Sequence, residues 1–184
     1  RGLGDVYKRQ MGYQFNEQAE KLGFRDGDVL LAVDGEEIRK WDGSVYRAVS
    51  EAREVTVLRE GREVSLTMPE DMNMLEMLKS NPPFMVPFIP SVIDSVLPSS
   101  PVYNAGIRSG DRIVAMDGKP VATWSDFDEI MRVRMEPLMA GSPSHEDSVR
   151  LSRLSVLYQS KDGTRTDTVT LELGADYKLS LIHI

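Results

Sequence analysis

Gly106-Ile-Arg-Ser-Gly-Asp-Arg-Ile-Val-Ala-Met-Asp-Gly-Lys-Pro-Val121 has an earlier counterpart in the same chain, Gly23-Phe-Arg-Asp-Gly-Asp-Val-Leu-Leu-Ala-Val-Asp-Gly-Glu-Glu-Ile38. The two stretches lie at a constant offset of 83, share seven of sixteen residues and keep apolar positions apolar except Val29, which aligns with Arg112. The same offset carries Trp41 onto Trp124. Self-similarity at a fixed spacing is the mark of an internal duplication, so two domains of one type are expected.

Each part of the repeat has a physical task. Gly23 and Gly106 follow short polar stretches that read as one or two helical turns, and a left-handed residue ends such a helix at least cost. Val29 to Val33 and Ile113 to Met116 are apolar runs too short for a helix and read as buried strands. Asp34-Gly35 and Asp117-Gly118 close them as tight-turn dipeptides. Asp28 and Asp111 are read as turn and strand-start residues rather than as a pair of catalytic acids.

The chain has 184 residues, a formal net charge of -7 and no cysteine. Its length fits two small domains. The acidic balance argues against a nucleic-acid partner, which demands a basic footprint. Lack of cysteine excludes a disulfide framework and thiol chemistry. The longest interrupted apolar run, Phe84 to Pro90, is broken by prolines and is far shorter than the roughly 18 residues of a membrane span.

The two ends carry a peculiarity. Asp5-Val-Tyr-Lys-Arg-Gln10 can be encoded by GAT GTG TAT AAG AGA CAG, whose reverse complement encodes Leu-Ser-Leu-Ile-His-Ile, the peptide at 179–184. Both resemble a sequencing-library transposon end translated in opposite orientations. Residues 1–10 and 179–184 are therefore set aside as adapter-like, non-native tails.

Residues 11–69 are expected to form the first domain, truncated at its opening strand. Within it, Val45, Ala48, Val49 and Ala52 make one apolar helix face, and Val55, Val57, Val64, Leu66 and Met68 alternate as a hairpin around Glu60-Gly61. Residues 70–83 read as a linker helix. Residues 84–176 are expected to form a complete second domain. There Ser91 to Val96 is the opening strand, Phe127, Ile130 and Met131 are the helix face, and Leu154 to Tyr158 with Val169 to Leu173 form the closing hairpin. About 16 residues are inserted relative to the first copy, near 135–151, with the composition of a loop.

Small residues, then Ala-Gly-hydrophobic, Gly-Asp, an apolar run and Asp-Gly resemble the signature of bacterial PDZ domains, and Ser99-Ser100-Pro101 through Asn104-Ala105-Gly106 extend the match upstream. The pair in tandem resembles the periplasmic PDZ pair of RseP-type site-2 proteases, membrane-embedded zinc metalloproteases. The resemblance implies an α+β, β-rich fold of two small barrels, each with one main and one short helix. It also implies an extracytoplasmic position at the bacterial inner membrane, with zinc in the parent enzyme and no cofactor in this fragment. The implied partners are extended peptide ends or outer segments of membrane-protein substrates and the parent's membrane domain.

PDZ domains take an extended peptide as an added strand between a sheet edge and a helix. The matching positions in the second copy are Phe88, Ile89 and Pro90 in the loop, Ser91, Val92 and Ile93 on the strand, and Phe127, Ile130 and Met131 on the helix. The first copy offers Val45, Ala48 and Val49. The same residues also fit a plain core. No HExxH, Gly-x-Ser-x-Gly or Cys/His pair is present, and of two histidines His145 is read as a solvated loop residue and His183 lies in the tail. The fragment is thus expected to be non-enzymatic within a parent that is a zinc intramembrane endopeptidase. The alternatives are the PDZ portion of an HtrA-type serine protease and a free-standing adaptor. Removing residues 1–10 and 179–184 is expected to leave the Tm unchanged within error in a calorimetric scan.

Overall fold

The computed structural model describes Lys8, residues 11–141 and residues 143–174, so the segment 179–184 and nearly all of 1–10 lie outside the described residues. Two compact units meet between Ile89 and Pro90. In the first run β1 (Tyr13–Phe15), α1 (Glu17–Lys21), β2 (Val29–Val33), β3 (Glu36–Glu37), α2 (Ser44–Glu51), β4 (Glu54–Arg59), β5 (Arg62–Thr67), α3 (Met74–Lys79) and β6 (Met85–Pro87). In the second run α4 (Pro101–Asn104), β7 (Arg112–Met116), β8 (Lys119–Pro120), α5 (Trp124–Met139), α6 (His145–Leu151), β9 (Arg153–Gln159) and β10 (Thr166–Glu172).

The fold is α+β and β-rich, with antiparallel sheets ordered β3-β2-β4-β5 and β10-β9-β7-β8 and a two-stranded β1-β6 pair. Among the described residues these sheets stay open, where closed barrels were expected. The duplication persists in the hydrogen bonding. Tyr13 N–H donates to Asp28 O at 3.0 Å and Gly27 N–H to Tyr13 O at 2.9 Å; Ile93 N–H donates to Asp111 O at 2.8 Å and Gly110 N–H to Ile93 O at 2.7 Å. Both copies also shift register at one place, between Leu30 and Ala32 and between Ile113 and Ala115. Gly23 and Gly106 follow α1 and α4 with φ of +106° and +98°, the left-handed stop that the sequence pattern requires.

The first repeat carries an opening strand, β1, where truncation was expected. Its outer neighbour is β6, with Tyr13 opposite Pro87 and Phe15 opposite Met85. Phe84, Met85 and Met77 belong to the same buried cluster as Phe15 and Phe24. Phe15 stacks on Phe24 at 4.7 Å between centroids, and Phe24 meets Phe84 edge-on at 6.0 Å. Residues 84–89 thus belong to the first unit rather than opening the second. The linker stretch contributes α3, capped by Asn73, whose side chain accepts from the Leu75 and Glu76 N–H groups. Met77 of α3 is buried, whereas Leu75 and Leu78 are exposed.

The insertion is helical. Val33 faces Val55 and Met116 faces Val156, so the offset between copies rises from 83 to 101 across it, an insertion of 18 residues. It doubles the main helix from 8 to 16 residues and adds α6. Each of these two helices starts with a reciprocal capping box, Thr123 with Asp126 and Ser144 with Asp147. Leu151 is buried, and Arg134 of α5 donates to the Arg153 carbonyl at 2.8 Å and pairs with Asp117. His145 accordingly opens a helix instead of lying in a loop.

Asp28 and Asp111, 1% and 6% exposed, tie the repeat to its closing hairpin. Each accepts the N–H three residues back, from Arg25 at 2.9 Å and Arg108 at 2.8 Å. Asp28 then receives a bidentate guanidinium from Arg59 at 2.9 and 2.8 Å, while Asp111 receives the Lys161 N–H at 3.1 Å. Asp28→Ala leaves the largely enclosed Arg59 facing Gly23 O alone. We expect it to lower the first unit's stability by about 2–3 kcal/mol, less than for a fully buried pair because Arg59 keeps some solvent. Urea unfolding followed by Trp41 fluorescence in a Trp124→Phe background would read this.

Candidate peptide-binding site

Strand addition requires a sheet edge whose N–H and C=O groups point outward beside a helix. In the second unit the segment Ser91–Ile93 meets these terms in part. Ile113 N–H donates to Ser91 O at 3.0 Å, and Ile93 makes the two bonds to Asp111 and Gly110 given above. The Ser91 hydroxyl adds a bond to Ile113 O at 2.7 Å. Because facing alternates along a strand, the backbone of Val92 turns away from β7. Pro90 bridges Thr123, Val92 bridges Arg112, and Ser91 N–H donates to Ala122 O at 3.2 Å, so the opening strand expected over Ser91 to Val96 is instead an extended segment held by isolated bridges, beginning beside the N-terminus of α5.

The residues expected to form the groove fall into three groups. Ser91, Ile93, Phe127 and Ile130 are buried, at 0%, 1%, 7% and 8% exposure, and serve as core. Val92 is 38% exposed, and Met131 and Pro90 are half-buried; these three can face a ligand. Phe88 and Ile89 belong to the first unit, where Phe88 N–H donates to Gly12 O at 3.0 Å and Ile89 N–H to Pro87 O at 3.0 Å. In the first copy Val45 and Val49 are core residues at 3% and 0%. Ala48 is half-buried and, with Val45, lines a cleft of about 490 Å³ between α2 and the β2–β3 hairpin.

That cleft has a mixed lining, with the carboxylates Asp34, Glu36, Glu37 and Glu51, the cations Arg39 and Lys40, and the apolar Val33, Ile38, Val45 and Ala48. The second unit's cleft by its own Asp-Gly turn, about 320 Å³, is lined instead by Lys119, Arg134, Arg150 and Arg153 beside Asp117. Among the described residues, no three His, Cys, Asp or Glu side chains converge as metal ligands, and no helix is long and apolar enough to cross a membrane.

Two elements of the first unit's edge were missed in the sequence. β6 is only three residues long and ends in proline, so it carries no periodicity. Tyr46 of α2 donates its hydroxyl to the Met85 carbonyl, a contact between residues 39 apart. Burial raises the Tyr46 pKa above the ordinary tyrosine value.

Residues 92–136, from the extended segment at Val92 into α5, match the PDZ domain family. Over 136 residues, 66% of this chain, it is 32% identical to the "Regulator of sigma-E protease RseP" of Escherichia coli, covering 29% of that protein. Over 112 residues, 59% of this chain, it is 30% identical to the "Putative zinc metalloprotease" of Borreliella burgdorferi, covering 24% of it. A shorter likeness, 40% over 52 residues and 28% of this chain, is to the "Putative serine protease HhoA" of Synechocystis, covering 13% of it. The chain spans under a third of the length of these relatives. These likenesses, over about 60% of the chain, support a PDZ region similar to that of RseP-type site-2 proteases.

Proposed function

We propose that this tandem gates the access of substrates to a membrane-embedded site-2 zinc metalloprotease. It would do so from the extracytoplasmic face of the bacterial inner membrane, in regulated intramembrane proteolysis. The supporting observation is a PDZ-type second unit, with a partly exposed extended segment beside α5, in a chain similar over most of its length to RseP and to a named zinc metalloprotease. Zinc and the catalytic residues belong to the parent's membrane domain. In this reading bulk and placement over the membrane do most of the work, and capture of a newly exposed peptide end is secondary. A site in an HtrA-type serine protease is the second reading. It rests on the HhoA likeness, which is confined to about a quarter of the chain.

Deleting residues 11–174 from the parent enzyme is expected to let it cut intact substrates as readily as shortened ones, measured as cleavage of uncut against pre-cut substrate. Retained discrimination would remove the gating role. The groove is tested separately. Val92→Asp, at an exposed position, is expected to weaken peptide binding about tenfold while changing stability by less than about 1 kcal/mol. Ile130→Asp places an unpaired carboxylate in the core and is expected to cost several kcal/mol, roughly 3 or more, unfolding the second unit. Denaturation curves with peptide titration separate the two.

A further inference from the structure

The bonding of β6 shows which of its groups remain for a partner. Phe88 N–H donates to Gly12 O at 3.0 Å, Asn16 N–H donates to Phe84 O at 3.1 Å, and Gln14 stands opposite Val86. Even-numbered residues of this strand therefore face β1, and Met85 and Pro87 face the outer edge, where a peptide would add. Pro87 has no N–H to offer. Its carbonyl accepts from Ile89 N–H at 3.0 Å, and the Met85 carbonyl accepts from the Tyr46 hydroxyl. Of the four backbone positions an added strand would use, three are thus taken or missing. Tyr46 is half-buried and packs against the first unit's core, so the hydroxyl is held at this edge by its ring.

We infer that the first unit's strand-addition edge is sealed by the chain itself, with Tyr46 as latch and Pro87 as stop, so that these two residues determine that this repeat takes no peptide. The inference rests on the peptide-capture reading above and sharpens it. Among the described residues only Met85 N–H lacks a partner at this edge, and Met85 is itself 1% exposed, too little to offset the ordering of an added peptide's backbone.

The test is an amide chemical-shift titration of the whole chain with one probe, the N-acetylated decapeptide Gly-Ser-Thr-Val-Thr-Val-Thr-Val-Thr-Val bearing a free carboxylate. In the wild type the amides of Met85, Val86 and Phe88 are expected not to move. In Tyr46→Phe/Pro87→Ala, which frees a carbonyl and restores a donor, they are expected to shift saturably, with a Kd at least about tenfold below any limit set for the wild type. Tyr46→Phe alone keeps the ring and its packing and is expected to gain a weaker response in the same amides. Saturable shifts at β6 in the wild type would overturn the seal. So would no gain in either variant while the native amide spectrum is kept. Failure of the probe to move Val92 and Ile93 in the wild type counts against peptide capture by the second unit, and leaves the seal to be judged at β6.

Discussion

Backbone groups that leave water must find partners, and the short opening strand of each repeat depends on that rule. The three residues of β1 place Tyr13 and Phe15 in the core but are too few to hold as a strand alone. They are held because Asp28 O and Gly27 N–H bind Tyr13 on one side while β6 binds the alternate residues on the other. The Gly-Asp dipeptide is what makes the first of these sides possible. The glycine turns the chain so that its N–H points at the strand, and the aspartate, buried at 1% or 6% exposure, fixes the turn through the N–H three residues earlier. The carboxylate then reaches the closing hairpin, through the Arg59 guanidinium in one copy and the Lys161 backbone in the other. One short motif therefore joins the opening strand, the turn and the last hairpin of its unit, and this explains its near-identity in the two copies.

The surface around the same skeleton has diverged. Asp34 and Asp117 both follow the central strand and both accept backbone N–H groups from the start of the next one: Arg53 and Glu54 at 3.0 and 2.9 Å, and Ser155 at 3.1 Å. In the second copy the remaining oxygen of Asp117 pairs with Arg134. That arginine sits on the lengthened helix, and its other bond, to the Arg153 carbonyl, ties the helix to β9. The inserted segment is thus anchored by a carboxylate already present for the turn. The adjoining clefts differ in charge, the first holding four carboxylates with Arg39 and Lys40 and the second Lys119, Arg134, Arg150 and Arg153 with Asp117, of which Arg134 and Arg150 lie on the lengthened and added helices.

The parts of the fold that were legible in the sequence are those written locally. β2 and β7 are apolar runs closed by Asp-Gly; β4 and β5 alternate about Glu60-Gly61; the repeat itself is visible by offset alone. β6 was illegible because its partner lies about seventy residues away and its three residues carry no period of two. The inserted helices were hidden by Gly, Ser and Pro, which signal loops, although Ser144 with Asp147 three residues on was a readable cap. For the candidate groove the sequence identified a helix face, but not which part of it is wetted. Ile130 and Val92 have similar apolar character, yet the first lies in the core at 8% exposure and the second stands out at 38%. That difference is set by neighbours distant in sequence.

The first unit closes its opening strand with a segment that follows its own hairpin, and closure has a chemical consequence for recognition. A strand placed at an edge either presents alternating donors and acceptors or disposes of them, and unmanaged edges invite pairing with any extended chain. β6 disposes of them by proline, by a local turn at Ile89 and by the Tyr46 hydroxyl. A unit finished in this way adds volume and rigidity without adding a peptide site. Such a unit would suit the proposed gate, because a second open edge would hold back shortened substrates that the proposal requires to pass. Recognition and obstruction can then be carried by different copies of one duplicated fold.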